Sequence, residues 1–356
     1  MISLDIDHFD LRRICGSGQI FRMYEREDGL FDVYSADRHL RVMQNGSRVD
    51  FYCTQEEFDG YWRRYFDLDR DYAAIVKAAT CGTPERSGLG QTYDKDRFTA
   101  LGKKDSGKFA VSGKKKASRD EFVARACEFG AGIRILHQDI WEMLISFIIS
   151  QQKQIPSIRK CIEALCERFG EKMREPVDCG GEAGNGTEKA EAVPENGYYE
   201  WYAFPTPEAI AAGGPEGMKG LSLGYRERYI YETAVKYLSD GFPYETVENM
   251  GLDAAKAYFT SFCGVGEKVA NCICLFGAGY VDAFPIDTHI KDILYREYHM
   301  RDTRPDAGGK QRDTSSRDHG LTQSDYEELV KIHFDRYKGY RGIVQQWIFA
   351  AEVMKC

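Results

Sequence analysis

Phe262-Cys263-Gly264-Val265-Gly266-Glu267-Lys268-Val269-Ala270 is the stretch on which the reading of this chain turns. Two glycines around one apolar residue make a tight hairpin between a helix ending near Phe262 and another starting near Gly266. The amides exposed at the start of the second helix attract an anion, most naturally a DNA phosphate. Alone this is a weak signal, because a plain helix-to-helix turn explains such glycines at least as often. Lys268 strengthens it. In the first turn of a helix the macrodipole disfavours a cation and leaves the amine more nucleophilic, so a lysine serving stability alone would sit elsewhere. Further on, Phe284-Pro285-Ile286-Asp287-Thr288-His289 sets an acid at the start of another helical run. Asp287 reads as an ordinary N-cap or as a catalytic carboxylate, and the two roles are compatible.

Outward from the hairpin the pattern is helical. Ile140, Leu144, Phe147 and Ile148 share one face, and Ile158, Ile162, Leu165 and Phe169 repeat the spacing before Gly170 ends the run. Helical patterns recur at 225–240, 252–262, 266–278, 287–299 and 324–356. Toward the N-terminus the period changes. Residues from Phe21 to Cys53 alternate as strands do, with breaks at Asp28-Gly29 and Asn45-Gly46, which suit hairpin turns and predict an antiparallel meander. Phe58, Trp62, Phe66, Ile75 and Val76 follow at helical spacing, as expected of one or two helices closing the sheet.

The chain has 356 residues, is 43% hydrophobic and 13% aromatic, and carries 48 Lys+Arg against 56 Asp+Glu, a formal net charge of -8. That excludes a uniformly basic nucleic-acid binder, global disorder and a small stapled scaffold. The charge is unevenly placed. Residues 82–119 hold ten Lys/Arg and four Asp/Glu, with the run Lys114-Lys115-Lys116, and read as a solvated insertion or, less readily, as a phosphate-contacting arm. Residues 176–200 hold six acids and the single base Lys189, reading as a disordered surface insertion, and a third polar insertion covers 301–320. Eleven cysteines without a Cys-x-x-Cys pair read as reduced, mostly buried thiols. Met1 to Asp10 lacks a signal-peptide pattern, and the best apolar stretch, Trp141 to Ile149, is under half a membrane span. The expectation is a soluble intracellular monomer: cytoplasm or nucleoid in a bacterium, nucleus in a eukaryote.

Gly264-Val265-Gly266, Lys268 and the Pro-x-Asp-x-His segment together resemble the helix-hairpin-helix glycosylase superfamily, and the lysine resembles its bifunctional glycosylase/lyase members. Gly18-Gln19-Ile20-Phe21-Arg22, Gly224-Tyr225-Arg226-Glu227-Arg228-Tyr229 and Val269-Ala270-Asn271-Cys272-Ile273-Cys274-Leu275 are similar to matching segments of eukaryotic-type 8-oxoguanine DNA glycosylases. The resemblance implies an α+β fold. A TATA-binding-protein-like antiparallel β-sheet domain with helices would occupy 1–81, a basic insertion 82–120, and an all-α glycosylase domain 121–356, interrupted at about 174–200 and 301–321. It implies excision of 8-oxoguanine from double-stranded DNA by base flipping, with strand cleavage through a lysine Schiff base. Lys268 and Asp287 would be catalytic. Phe349 and Cys272 would sandwich the base, Gln345 would read its Watson–Crick edge, and the Gly18 carbonyl would accept N7–H. Gly264, Val265, Gly266, His289, Gln152, Tyr225 and Arg226 would contact DNA. Without the family, Phe349 and Cys272 read as core, Gln345 as a surface amide, Gly18 as a loop glycine, and His289 nearly as readily as a buried histidine. An iron–sulfur cluster is excluded because only Cys356 follows Cys274, and no metal or other cofactor is expected.

Two positions depart from the family pattern. After Ser150 an asparagine-rich segment becomes Gln151-Gln152-Lys153-Gln154, and Ser157 stands where a cytosine-reading arginine is expected, with Arg159 one helical step away. The expectation is a weaker preference for cytosine opposite the lesion. Three other readings stay open: a monofunctional alkylpurine DNA glycosylase, which generally lacks the lysine; a non-catalytic helix-hairpin-helix DNA-binding module; and an adaptor with an acidic face.

Overall fold

The computed structural model describes residues 1–27, 29–81, 120–176, 198–241, 244–299 and 319–354. Asp28, the basic stretch 82–119 with its lysine run, most of the acidic insertion, residues 300–318 and Cys356 lie outside the described residues.

Five strands, β1 (Ile2–Asp5), β2 (Met23–Glu27), β3 (Leu30–Ser35), β4 (Arg38–Asn45) and β5 (Arg48–Tyr52), form an antiparallel sheet in the order β1-β5-β4-β3-β2. The expected meander is present, and β1 joins its edge beside β5. Alternation sends Phe31, Val33, Leu40, Val42, Val49 and Phe51 to one face, where helix α1 (Leu11–Gly16) and Phe58, Trp62 and Phe66 cover them. Tyr72, Ile75 and Val76 behave differently. Helix α2 (Tyr72–Cys81) packs on α3 (Glu121–Gly130) in the second, larger core, so only the first half of the expected helical stretch closes the sheet.

That larger core is built around α4 (Ile140–Ser150), capped by Asp139, whose carboxylate accepts the Glu142 amide at 2.8 Å. Its residues Ile140 through Ile149 are buried all round, not on the single face the spacing predicts, because it is the central helix. Sharing that core are α5 (Ile155–Phe169), α6 (Pro207–Gly217), α7 (Arg226–Asp240), α8 (Leu252–Thr260), α9 (Glu267–Phe276), α10 (Thr288–Ile293), α11 (Gln323–Phe334) and α12 (Arg341–Val353), of which α5, α7 and α9 pack directly on α4. The pattern over 324–356 is two helices, broken where Gly339 adopts φ +98. The second unit is also not all helix. The two ends of the acidic insertion pair as an antiparallel ribbon, β6 (Lys172–Pro176) with β7 (Tyr198–Tyr202).

The ribbon docks on the outer face of the sheet through His39, whose Nδ1 lies 2.9 Å from Glu175 and Nε2 3.1 Å from Asp32. Burial alone would push His39 down, but its hydrogen bonds to the two carboxylates outweigh that and hold it up. A second tie joins the units. The turn at Ala36, in the left-handed region at φ +51, is held by its amide donating to Glu142 Oε2 at 2.8 Å and its carbonyl accepting from Phe204 at 2.8 Å. Burial pushes the Glu142 carboxyl up to about 7, with Arg22 pulling against it. Among the described residues, no helix is long and apolar enough to cross a membrane. Cys15, Cys53, Cys127, Cys161, Cys166, Cys263, Cys272 and Cys274 are free thiols, and five of these eight are buried.

Candidate active site and nucleic-acid interface

Helix α8 ends at Thr260 and α9 begins at Glu267, so the predicted hairpin is present, with its first helix ending two residues earlier than expected. Gly264 adopts φ +78, and a Cβ there would drive into the Tyr229 ring, so the position needs glycine twice over. Gly266 is different. Its backbone is extended (φ -94, ψ 179), and a Cβ there would meet nothing within 4 Å. The fold itself therefore does not require glycine at this position, and the space beside it is open. No side chain caps α9, whose first amides carry the positive end of the helix dipole. Val265 is buried, so this residue can offer a partner only its backbone.

Lys268 lies half-buried in the first turn of α9, its Nζ 5.2 Å from the Phe147 ring centroid. One turn on, burial pushes the Cys272 thiol up, while the Lys268 ammonium lowers it through charge and a hydrogen bond and the Asp287 carboxylate raises it. Lys268 and Cys272, four residues apart on α9, share one face of that helix. Asp287 is also the N-cap of α10, accepting the Ile290 amide at 2.8 Å through Oδ1. The loop before it is tied to α9 by Asn271, which accepts the Phe284 amide at 3.2 Å.

From α12, Gln345 reaches the same loop. It is 3% exposed, donates to the Pro285 carbonyl at 3.2 Å, and leaves its Oε1 buried without a hydrogen-bond partner in the structure. The surface-amide reading is therefore wrong: a buried amide oxygen lacking a partner is costly unless something else satisfies it. Phe349, one turn along, presents its ring edge-on to His289 with centroids 5.9 Å apart, and abuts Gly18, where a Cβ would sit 3.0 Å from the ring. His289 is exposed, not buried. Gly18 adopts φ +79 between two anchored residues: Gln346 donates to the Ser17 carbonyl at 2.7 Å, and the buried Gln19 side chain bonds Arg134 and Leu136. Contacts thus join Gly18, Phe349 and His289, and hydrogen bonds tie both Gln345 and Asn271 of α9 to the loop that leads into Asp287.

Gln152, Tyr225 and Arg226 form a second group near the hairpin. Gln152 is exposed with φ +54, and Tyr225 is 49% exposed at the start of α7. Arg226 lies behind Tyr225, its guanidinium turned to carbonyls of the protein. It is 6% exposed, stacked on Tyr225 at 4.4 Å, and donates to the carbonyls of Leu223 and Gln151. Arg159 is engaged elsewhere, donating to the Cys15 carbonyl at 3.2 Å and lying over Tyr24. Ser157 is exposed on the first turn of α5.

Asn271, Gln346 and Gln19 organise the site and were not singled out from sequence. The signal for each was its place inside a segment that the resemblance already marked, or beside Gln345.

Residues 145–313 match the HhH-GPD superfamily base excision DNA repair protein model, and residues 1–88 match the 8-oxoguanine DNA glycosylase N-terminal domain model. The helical unit of the chain resembles the HhH-GPD superfamily. The chain is 31% identical over 180 residues to the N-glycosylase/DNA lyase of Saccharomyces cerevisiae; the alignment covers 48% of this chain and 43% of the yeast protein, less than half of that relative's length. Among solved structures, MBOgg1 in complex with a low-affinity DNA ligand matches with TM-score 0.71 and 26% identity, over 98% of this chain and 94% of that one. The Clostridium acetobutylicum 8-oxoguanine glycosylase/lyase, in complex with double-stranded DNA containing cytosine opposite 8-oxoG, matches with TM-score 0.69 and 25% identity, over 97% and 92%.

Proposed function

We propose that this chain is a base-excision repair enzyme, a bifunctional DNA glycosylase and abasic-site lyase that removes 8-oxoguanine from duplex DNA. The observation that carries the reading is Lys268, half-buried over Phe147 in the uncapped first turn of α9, with Asn271 of the same helix tying down the loop that leads into Asp287. A helix start with open space before Gly266 accepts a backbone phosphate, and a lysine one residue further on can then reach the sugar. The names of the yeast and clostridial relatives support the same activity.

The target base inside a duplex is out of reach of an amine, so the nucleotide must be extruded. The base would enter between Phe349 and Cys272, its Watson–Crick edge supplying the donor that the Gln345 Oε1 lacks, with the Gly18 carbonyl accepting N7–H. The unprotonated Lys268 amine forms a bond to C1′ as the C1′–N9 bond breaks, and the electron pair leaves with the base, which takes up a proton. The Asp287 carboxylate, anchored through one oxygen as the α10 cap, stabilises positive charge developing on the sugar and the amine. Ring opening gives the Schiff base. Loss of a C2′ proton then expels the 3′ phosphate, nicking the strand by β-elimination.

Arg226 is committed to carbonyls and Arg159 to Cys15, which leaves Gln152 and Tyr225 as the exposed groups facing a widowed base. Preference for cytosine opposite the lesion is correspondingly weak. The test is parallel assay of duplexes carrying 8-oxoguanine and 3-methyladenine. Base release with strand scission on the first supports the proposal; release of 3-methyladenine alone, without scission, would replace it with the monofunctional alkylpurine reading.

A further inference from the structure

Three segments converge at the hairpin: residues 150–154 after α4, residues 222–226 before α7, and the hairpin at 262–266. Gln151 is bonded to both of the others. Its Nε2 donates to the Gly264 carbonyl at 2.9 Å and to Ile148 at 3.3 Å, and its own carbonyl accepts from Arg226 Nη2. Arg226 Nη1 in turn holds the Leu223 carbonyl at 3.1 Å, and Lys153 Nζ holds Ser222 at 2.9 Å. Gly264 sits against the Tyr229 ring, which meets Tyr225 edge-on at 5.4 Å, and Tyr225 stacks on Arg226. The contacts therefore form a closed circuit from Gln151 through Gly264, Tyr229, Tyr225 and Arg226 back to Gln151.

The circuit has a mechanical consequence. The peptide plane between Gly264 and Val265 is gripped on both edges, its oxygen by Gln151 and its N–H by the Phe262 carbonyl at 3.1 Å. That fixes the direction in which the next amides face. Gln152, non-glycine at φ +54, stands between Gln151 and Lys153, both anchored, and a left-handed residue of this kind persists only where its surroundings over-determine it.

We propose that Gln151 is a positioning residue: through the Gly264 carbonyl and the Arg226 guanidinium it holds the hairpin, the Gln152 loop and the Tyr225 turn in one preset surface for duplex DNA. This rests on the glycosylase/lyase reading and deepens it. Pre-organised contacts spare the ordering cost at binding, so the residue acts on duplex engagement without touching the reacting atoms.

The experiment compares wild type, Gln151→Leu and Gln151→Glu on three substrates: 8-oxoguanine duplex, abasic duplex and abasic single strand, with thermal unfolding alongside. Leu removes the donor at similar size, while Glu keeps the shape and sets a carboxylate against the Gly264 carbonyl. The expected result for Leu is duplex affinity and duplex nicking lowered by about 2- to 10-fold, the scale of one neutral hydrogen bond, with a larger fall for Glu. Nicking of the single strand, which needs no preset duplex surface, stays at the wild-type rate. Equal falls on single and double strands, or no change on either, would overturn the positioning role. Wild-type protein inactive on every substrate would instead sink the parent reading.

Discussion

Asp287 caps a helix, and substitution can separate that job from the catalytic one proposed for it. Its Oδ1 accepts the Ile290 amide at 2.8 Å, so it caps α10, and its charge reaches the Lys268 and Cys272 neighbourhood. Asparagine caps about as well as aspartate, so Asp287→Asn loses only the charge at the helix start, about 0.3–1 kcal/mol. Asp287→Ala loses the cap as well, about 0.5–2 kcal/mol more. With an unfolding entropy of about 2 cal/mol/K per residue over 356 residues, each kcal/mol moves the melting temperature by roughly 1–2 °C. Asn is expected within about 2 °C of wild type, and Ala lower by a further one to four degrees or so. Both remove the carboxylate that meets developing positive charge. Single-turnover base release should therefore fall by about 100- to 1000-fold in both, with lesion-duplex binding retained. The assay is base release at saturating enzyme beside thermal unfolding of the same preparations. An Asn variant with near wild-type release, or activity that tracks melting temperature across the two variants, would refute the charge argument and leave Asp287 a cap.

Glu142, raised to about 7 against 4.5 unfolded, contributes stability that is full below pH 4.5 and is lost as pH rises to 7. Glu142→Gln keeps an acceptor for the Ala36 amide and should gain on wild type by up to roughly 3 kcal/mol between pH 5 and 8 in urea unfolding; parallel pH profiles would contradict this. Gly264→Ala should destabilise by about 2–4 kcal/mol from its φ and the Tyr229 contact. Gly266→Ala should leave the melting temperature unchanged and weaken duplex binding, since only an approaching phosphate meets the new methyl; titration of an abasic duplex reads the difference. Excision scanned over the four opposing bases should vary by no more than about tenfold, and confinement to a cytosine partner would show that Arg226 or Gln152 discriminates after all.

Much of the site was legible because its chemistry demands particular residue types at particular steps. A glycine hairpin, a lysine in the first helical turn and a carboxylate after proline give the same hypothesis in sequence and in space. The turn at Asn45-Gly46 and the stop at Gly170 were legible for the same local reason. What failed depended on partners distant in sequence. Lys172 to Pro176 carries no strand pattern, and becomes one because Tyr198 to Tyr202 pairs with it and His39 bonds Glu175 across the sheet. Ile2 to Asp5 is only four residues of alternation, too short to read without β5 beside it. The burial of Arg226 was not legible, because nothing in its own segment shows that the Gln151 carbonyl waits behind it. Gln345 looked exposed because its one donor contact is the Pro285 carbonyl, sixty positions away.

The central claim is that Lys268 is the nucleophile. Borohydride reduction during reaction with 8-oxoguanine duplex tests it most directly, because only a covalent Schiff base between enzyme and sugar is captured. Wild-type protein should give a trapped protein–DNA adduct, and Lys268→Gln, folded and still binding the duplex, should give none. Full trapping in that variant would contradict the account, and would move the search for the nucleophile to another amine.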